Sequence, residues 1–134
     1  MSPTLHIFLA EDNPGDVFLI NEALASADLQ FRIHRVEDGG AALKVLDEIE
    51  GQRMLLNLIV LDLNLPKVSG HELLSTIRAS DYFRETPVII VTSSESPEDR
   101  QRADELGIAS YFRKPSDLNE FLKFGNLVKA VCHR

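Results

Sequence analysis

Four apolar residues, Leu58-Ile59-Val60-Leu61, run directly into an aspartate, Asp62. A short continuous apolar run of this kind predicts a strand that is buried on both faces, as in a parallel sheet. A carboxylate at the end of a buried strand costs free energy unless another group stabilises its charge. Other parts of the chain must therefore supply the groups that compensate Asp62.

Outward from this stretch, strand-like and helix-like segments alternate along the chain. Strands are predicted at Leu5–Ala10, Phe31–Val36, Leu58–Leu61, 87–91 and 108–112. Helices are predicted at 14–27, 38–51, 69–77 and 96–107, and from residue 116 or 117 to 131. Five strands that alternate with five helices predict one α/β domain, with a mainly parallel sheet and helices on both faces. The alternation alone leaves the order of the strands open.

The composition limits the class of function. The 134 residues carry a net charge of −7 and their Lys and Arg are scattered, which argues against nonspecific binding to nucleic acid. No apolar stretch approaches the roughly 20 residues that a membrane span needs, and the first residues lack the pattern of a secretory signal. The single cysteine cannot form an internal disulfide, which fits a reducing compartment. We therefore expect a cytoplasmic protein that binds other proteins, metal ions or small ligands.

Polar residues follow the predicted strands at the edge where open parallel sheets bind ligands. They are Glu11 and Asp12 after the first strand, Asp62 and Asn64 after the third, Thr92 after the fourth and Lys114 after the fifth. Clustered carboxylates repel one another, and a hard divalent cation such as Mg²⁺ supplies the counter-charge. A lysine and a threonine hydroxyl suit a phosphoryl group. The set suits phosphoryl transfer to an aspartate, although each residue alone could be an ordinary turn or cap residue.

The motifs at these strand ends resemble those of the receiver domain of bacterial two-component response regulators. The resemblance is carried by Glu11-Asp12-Asn13, Asp62-Leu63-Asn64-Leu65-Pro66 with Gly70, Thr92-Ser93, and Tyr111-Phe112-Arg113-Lys114-Pro115. It covers essentially the whole chain, with glutamate at the first acidic position as one modest departure. It implies a flavodoxin-like, doubly wound sheet of five parallel strands in the order 2-1-3-4-5. It also implies that residues 1–134 form a single receiver domain with no output domain.

By this resemblance, Asp62 is the residue that accepts a phosphoryl group from the phosphohistidine of a histidine kinase. Glu11 and Asp12 would hold Mg²⁺ together with Asp62, and the backbone carbonyl of Asn64 would be a further ligand. The resemblance thus implies a signalling protein of a phosphorelay, and not an enzyme that acts on an outside substrate.

Three more roles implied by the resemblance concern the phosphoryl group and the response to it. Thr92 would hydrogen-bond the phosphoryl group, and Lys114 would pair with it. The Lys114–Pro115 peptide would be cis. Tyr111 lies where the family places its switching aromatic residue, and it would turn inward when Thr92 moves toward the phosphoryl group.

The extended motifs narrow the resemblance further. They look most like those of stand-alone receivers that are paired with phytochrome-type light-sensing kinases. The segments that carry this similarity are 11–17, 61–67 and 87–94. We therefore expect a sensor histidine kinase, of a bacteriophytochrome type, as the partner, with a downstream protein or phosphotransfer partner as a second contact.

The last helix suggests an interface between copies of the chain. Its apolar residues span an arc of roughly 220°, which is wider than the stripe that covers one face of a sheet. The surplus, Phe124, Leu127 and Val131, predicts a patch for a homodimer or another partner. Phe18 also lies off the apolar face of its helix, and contact with the kinase is one interpretation of it.

Two other classes of function stay open. A metal-dependent phosphohydrolase also forms an aspartyl phosphate, but such enzymes carry a second catalytic acid two residues after the nucleophile, where this chain has Asn64. The sequence also lacks an insertion for a substrate cap. The second alternative is an interaction module that is no longer phosphorylated, against which the acids, Thr92 and Lys114 argue.

Overall fold

The computed structural model describes residues 3–132, and a sheet of five parallel strands forms its centre. The strands are β1 (Leu5–Ala10), β2 (Phe31–Val36), β3 (Leu58–Leu61), β4 (Val88–Thr92) and β5 (Ser110–Arg113). They lie side by side in the order β2-β1-β3-β4-β5. The predicted fold class and strand order are confirmed.

Burial explains why these segments form the sheet. Every residue of β3 and of β4 is buried, as expected for aliphatic strands that are covered on both faces. β2 lies at one edge, and Val36 is its one fully buried residue. The apolar run that ends at Asp62 is therefore the central strand, and Asp62 lies at the middle of the carboxyl edge of the sheet.

Helices occupy the connections between the strands and the segment after the last one. They are α1 (Pro14–Ser26), α2 (Gly39–Gly51), α3 (Gly70–Ala79), α4 (Pro97–Leu106), α5 (Leu118–Phe121) and α6 (Lys123–Cys132). The first four begin after a residue whose side chain accepts a hydrogen bond from a backbone N–H of the first turn, namely Asn13, Asp38, Ser69 and Ser96. This capping chemistry sets where each helix begins, and so sets the length of the loop after each strand.

The helices cover both faces of the sheet. On one face α2, α3 and α4 pack against side chains that include Phe8 and Ile59. On the other face α1, α5 and α6 pack against side chains that include Ile7 and Leu58. Successive strand residues thus face opposite layers. No helix within residues 3–132 is long and apolar enough to cross a membrane.

The last helical region differs from the prediction. A break at Leu122 divides it into α5 and α6, so a single continuous helix is wrong. Phe124 and Val131 are only 0% and 8% exposed, and both belong to the core. Leu127 is half-buried against the same cluster. The predicted apolar patch on this helix is therefore wrong, and homodimerisation through it loses the observation on which it rested.

Close packing of α6 against α1 explains the wide buried arc. Gly125 lies against the backbone of Ala23, where an added β-carbon would overlap the carbonyl oxygen. Because Gly125 has no side chain, α6 can contact α1 as well as the sheet, and two contact surfaces bury more of a helix than one. Phe18 on α1 is 62% exposed, as its position off the apolar face predicted.

Candidate functional site

Three carboxylates meet at the carboxyl ends of β1 and β3. The two strands are neighbours with Ala10 opposite Leu61, so Glu11 and Asp62 follow at the same level of the sheet. Glu11 and Asp62 are buried, at 1% and 6% exposure, whereas Asp12 is exposed. One oxygen from each of the three acids lies within 4.8 Å of the others. The structure thus brings together the acids that the sequence singled out.

Lys114 follows β5 and contacts three carboxylates. Its Nζ atom lies 3.0 Å from Asp62 Oδ2, 2.7 Å from Glu11 Oε1 and 2.7 Å from Asp16 Oδ2. Burial by itself lowers the pKa of this ammonium group, but its contacts with the carboxylates of Asp16, Glu11 and Asp62 outweigh that effect, so the pKa lies above its ordinary value. Lys114 is therefore a permanent cation beside Asp62 at neutral pH.

Glu11 is a buried acid with a raised pKa. Burial raises its pKa most, Lys114 lowers it, and repulsion from Asp62 raises it again, with a net result of about 7. Its Oε2 atom accepts a hydrogen bond from the Asn13 amide at 3.1 Å. Its Oε1 atom is buried near Lys114 Nζ, but it makes no hydrogen bond of good geometry with the described residues. A buried oxygen without a hydrogen bond, within an all-oxygen donor set, fits a hard divalent cation.

Tight backbone packing fixes the loop after β3. The backbone N–H of Asn64 donates to Asp62 Oδ1 at 3.1 Å, which orients the carboxylate. Gly70, the first residue of α3, lies against the backbone of Asp62 and Leu63, where a β-carbon would overlap both. Gly70 N–H also donates to the carbonyl oxygen of Leu63 at 3.1 Å. Asn64 is exposed beside the site, and the role of its carbonyl as a metal ligand stays a prediction.

Thr92 and Tyr111 lie on the two strands beyond β3 and are connected through Ser94. Thr92 is buried at the end of β4, and its hydroxyl oxygen accepts a hydrogen bond from the Ser94 amide at 3.3 Å. The Tyr111 hydroxyl donates to the Ser94 carbonyl at 3.2 Å, while Arg100 lies 4.9 Å from the centre of the Tyr111 ring. Thr92 and Tyr111, which are predicted to act in switching, are thus connected through one intermediate residue, Ser94.

Asp16 and Arg35 also belong to this site, although the sequence pattern did not single them out. Asp16 lies in the first turn of α1 and contacts Lys114. Arg35 donates to the backbone carbonyls of Glu11 at 3.1 Å and Asp12 at 3.3 Å, and so fixes the loop that carries both acids. The signal for Asp16 was its place just after the strand that ends in the acidic pair, but an acid in a first helical turn also has an ordinary electrostatic role there.

A second missed group connects α3 and α4 behind Thr92. His71 is 6% exposed, and its Nε2 atom lies 3.3 Å from Asp99 Oδ1. The other carboxylate oxygen of Asp99 accepts a hydrogen bond from the Ser94 hydroxyl at 2.6 Å. This hydrogen bond is the largest cause of the lowered pKa of Asp99. The Ser94 loop is therefore held from both sides, by Asp99 on α4 and by Tyr111 on β5.

The Lys114–Pro115 peptide differs from the prediction. Among residues 3–132 no peptide bond is cis, so the predicted cis bond is wrong. The trans form of a bond before proline is favoured by about 0.5–1 kcal/mol in the absence of other constraints. In the trans form Lys114 Nζ already reaches Asp62.

The whole arrangement agrees with a known family. The sequence profile of the response regulator receiver domain matches residues 7–124. The chain belongs to this family. Receiver domains act in two-component signalling. The profile covers the part of the chain that carries Asp62, the acids beside it and Lys114.

Similar proteins support the assignment. The probable methanogenesis regulatory protein FilR2 of Methanothrix harundinacea is 43% identical over 126 residues, which are 93% of this chain and 77% of FilR2. The structure of the phosphorylated cyanobacterial phytochrome response regulator RcpA matches with a TM-score of 0.87 at 29% identity, and covers 98% of this chain and 95% of RcpA. The Mn²⁺-bound form of response regulator Rcp1 matches with a TM-score of 0.83 at 30% identity, and covers 94% of this chain and 92% of Rcp1.

Proposed function

We propose that this receiver domain accepts a phosphoryl group on Asp62 from a histidine kinase. The observation that carries the proposal is the convergence of Glu11, Asp12 and Lys114 on Asp62 at the ends of three different strands. Asp62 is buried with one oxygen near Lys114 and the other on the Asn64 amide, so its orientation is fixed before a phosphoryl donor arrives. A carboxylate held in this way suits nucleophilic attack on phosphorus.

The transfer exchanges one bond to phosphorus for another. A carboxylate oxygen of Asp62 bonds to phosphorus while the bond from phosphorus to the kinase histidine nitrogen breaks, and the imidazole keeps the electron pair and takes up a proton. The charge on the phosphoryl oxygens then needs compensation. Lys114 lies 3.0 Å from Asp62 and supplies a cation. Thr92 supplies a hydroxyl from the adjacent strand, and we propose that it donates to the phosphoryl group.

We propose Mg²⁺ as the metal, with Glu11, Asp12, Asp62 and the backbone carbonyl of Asn64 as its protein ligands. All four donate oxygen, which Mg²⁺ prefers. When bound, the ion supplies positive charge that stabilises the transferring group. The buried Oε1 of Glu11 and the raised pKa of this residue support a cation at this place. The Mn²⁺-bound form of Rcp1 supports a divalent ion in a related protein.

We propose that Thr92 and Tyr111 convert phosphorylation into a change of surface. A phosphoryl group adds a charge of about −1.5 to −2. If Thr92 moves toward it, the contact between its hydroxyl and the Ser94 amide breaks, and the Ser94 carbonyl can no longer hold the Tyr111 hydroxyl in place. Tyr111 then turns inward. An unchanged Tyr111 rotamer with a phosphoryl mimic bound at Asp62 would exclude this step.

We propose a phytochrome-type histidine kinase as the partner and the cytoplasm as the place of action. The similarity to RcpA, a phytochrome response regulator, supports this type of kinase. Phe18 on α1 is exposed beside the edge that carries the site, and we propose it as a kinase contact.

The test is phosphotransfer followed by intact-mass spectrometry. Acetyl phosphate, and then candidate phytochrome-type kinases, are offered to the wild type, Asp62→Asn and Asp47→Asn in the presence and absence of Mg²⁺. Asp47 is an exposed acid on α2, so its substitution makes the same charge change away from the site. We expect Mg²⁺-dependent gain of one phosphoryl group in the wild type and in Asp47→Asn, and none in Asp62→Asn. Modification that persists in Asp62→Asn would overturn the assignment.

The same reagents separate the two alternatives. Turnover of small phosphate esters that disappears in Asp62→Asn would indicate a phosphohydrolase, although Asn64 cannot act as the second acid of such an enzyme. If no donor modifies the wild type, the interaction module becomes the better description. We propose that the domain does not act on an outside substrate, so stoichiometric modification without ester turnover is the expected result.

A further inference from the structure

Asp16 binds Lys114 at least as closely as Asp62 does. The distance from Lys114 Nζ is 2.7 Å to Asp16 Oδ2 and 3.0 Å to Asp62 Oδ2. Asp16 belongs to α1, 98 residues away from Lys114 in the chain, so the contact joins two distant elements. It has no part in the proposed metal site, since the acids whose oxygens lie within 4.8 Å of one another are Glu11, Asp12 and Asp62.

Lys114 and a metal ion compete for the same oxygens. In this structure the ammonium group lies 2.7 Å from Glu11 Oε1 and 3.0 Å from Asp62 Oδ2, and both acids are proposed metal ligands. A divalent cation at these acids repels the ammonium group and replaces some of its contacts. Lys114 must nevertheless stay close to Asp62 to meet a phosphoryl group there. It therefore needs one carboxylate that the metal does not use.

Asp16 meets this need because its own position is fixed. The Asn13 side chain accepts hydrogen bonds from the backbone N–H groups of Gly15 at 2.8 Å and Asp16 at 3.2 Å, which hold the first turn of α1. The amino end of a helix is also a favourable place for a negative charge. The Asp16 side chain is 21% exposed, so it faces the site from its solvent side, whereas Glu11 faces it from the core.

We propose that Asp16 is a positioning residue that anchors Lys114 when Mg²⁺ takes Glu11 and Asp62. Lys114 then pivots on Asp16, releases the two buried acids to the metal and stays beside Asp62. Without Asp16, Lys114 has only the metal ligands to pair with and competes more strongly with the ion. This inference rests on the proposed metal site and extends it to a residue outside that site.

The test measures metal affinity rather than phosphorylation. Mn²⁺ binding is followed by electron paramagnetic resonance, and Mg²⁺ binding by calorimetry, for the wild type, Asp16→Asn and Glu22→Gln. Glu22 is an exposed acid on the same helix, so its substitution removes the same charge without touching Lys114. In Asp16→Asn a negative charge near the metal is lost, and Lys114 competes more strongly with the metal for Glu11 and Asp62. Both effects weaken metal binding, so we expect Asp16→Asn to bind both metals about three- to tenfold more weakly. Glu22→Gln should bind them as the wild type does.

A double-mutant cycle with Lys114→Met shows whether Asp16 acts through Lys114. Lys114→Met alone should bind metal more tightly, because the competing cation is gone. In that background Asp16→Asn should have a clearly smaller effect than in the wild type, and Asp16→Glu, which keeps the carboxylate, should recover part of the affinity when Lys114 is present. Equal losses in both backgrounds would overturn the proposal, as would equal affinities of Asp16→Asn and Glu22→Gln.

The outcomes separate this proposal from the one on which it rests. If the wild type binds neither Mg²⁺ nor Mn²⁺, the proposed metal site and the role of Asp16 are both wrong. If the wild type binds the ions and Asp16→Asn binds them equally well, only the role of Asp16 is wrong. Circular dichroism of each variant confirms that the loss of affinity occurs in a folded protein.

Discussion

Glu11 links the stability of this domain to pH. Its pKa is about 7 in the folded protein, against an ordinary value of 4.5. The folded state therefore holds this proton more tightly than the unfolded chain does, and the contribution of Glu11 to stability is greatest below about pH 4.5. That contribution falls as the pH rises toward 7 and levels off above it, because the proton has then left both states.

The size of the effect follows from the two pKa values. At about 1.4 kcal/mol per pH unit, the difference between 4.5 and about 7 corresponds to about 3 kcal/mol of unfolding free energy. Most of this, about 2–3 kcal/mol, is lost between about pH 5 and about pH 8, since the unfolded carboxyl is already largely ionised at the lower value. For a small domain this is a large part of the total stability.

Urea unfolding in the presence of a chelator, followed by far-ultraviolet circular dichroism, measures this loss. We compare the wild type with Glu11→Gln at about pH 5 and about pH 8, because the amide does not titrate and the groups distant from Glu11 cancel in the difference. The wild type should lose about 2–3 kcal/mol relative to Glu11→Gln across this range. Parallel pH profiles for the two proteins would refute the reasoning, and Glu22→Gln serves as the control for the loss of an exposed acid.

Magnesium should reverse the effect in the wild type. The ion binds the ionised carboxylate, so its stabilising effect should be larger at about pH 8 than at about pH 5, where a proton competes for Glu11. In Glu11→Gln the stabilisation by Mg²⁺ should be smaller at both values and should depend less on pH. A wild type that Mg²⁺ stabilises equally at both values would show that Glu11 is not a ligand.

Two further predictions concern glycines at close contacts. Gly125→Ala places a β-carbon on the Ala23 carbonyl and should cost about 1–3 kcal/mol or more in urea unfolding, whereas Gly51→Ala, which meets nothing within 4 Å, should be neutral or stabilising by up to about 1 kcal/mol. Equal effects of the two would mean that α1 and α6 do not pack this closely. Gly70→Ala pushes on the backbone of Asp62, so it should weaken Mg²⁺ binding as well as lower the stability of the domain. Calorimetry with the same samples measures the Mg²⁺ binding. Loss of stability with unchanged Mg²⁺ binding would place the strain outside the site.

The site residues that could be predicted from the sequence all lie at the carboxyl ends of strands. The carboxyl ends of parallel strands lie at one edge of a sheet, so Glu11, Asp62 and Lys114 had to lie at that edge once the strands were recognised. The strand order implied by the resemblance then placed the ends of β1 and β3 next to each other. The ends of the strands were readable because aliphatic runs stop at polar residues there. The helix starts were readable for a similarly local reason, the capping side chains of residues such as Ser96.

The residues that sequence could not predict depend on contacts between elements. Asp16 has the local features of an ordinary acid in a first helical turn, and only the contact between this turn of α1 and the loop after β5 shows that it meets Lys114. Phe124 and Val131 read as surplus on a helix with one buried face, but α6 has two such faces because Gly125 lets it touch α1. The apolar pattern of a helix shows which of its faces are apolar, but it does not show how many other elements pack against those faces.

The position of Lys114 explains how one event at Asp62 can reach Tyr111. The Lys114 amide donates to the Thr92 carbonyl at 2.7 Å, while its ammonium group contacts Asp62, so the same residue joins the site to the end of β4. From Thr92 the network continues through Ser94 to the Tyr111 hydroxyl. A phosphoryl group that draws on both Lys114 and the Thr92 hydroxyl, as we propose, would therefore act on Thr92 through its backbone carbonyl and through its side chain. Because the Ser94 carbonyl accepts the hydrogen bond from the Tyr111 hydroxyl, the proposed phosphoryl charge would reach Tyr111 through Thr92 and Ser94.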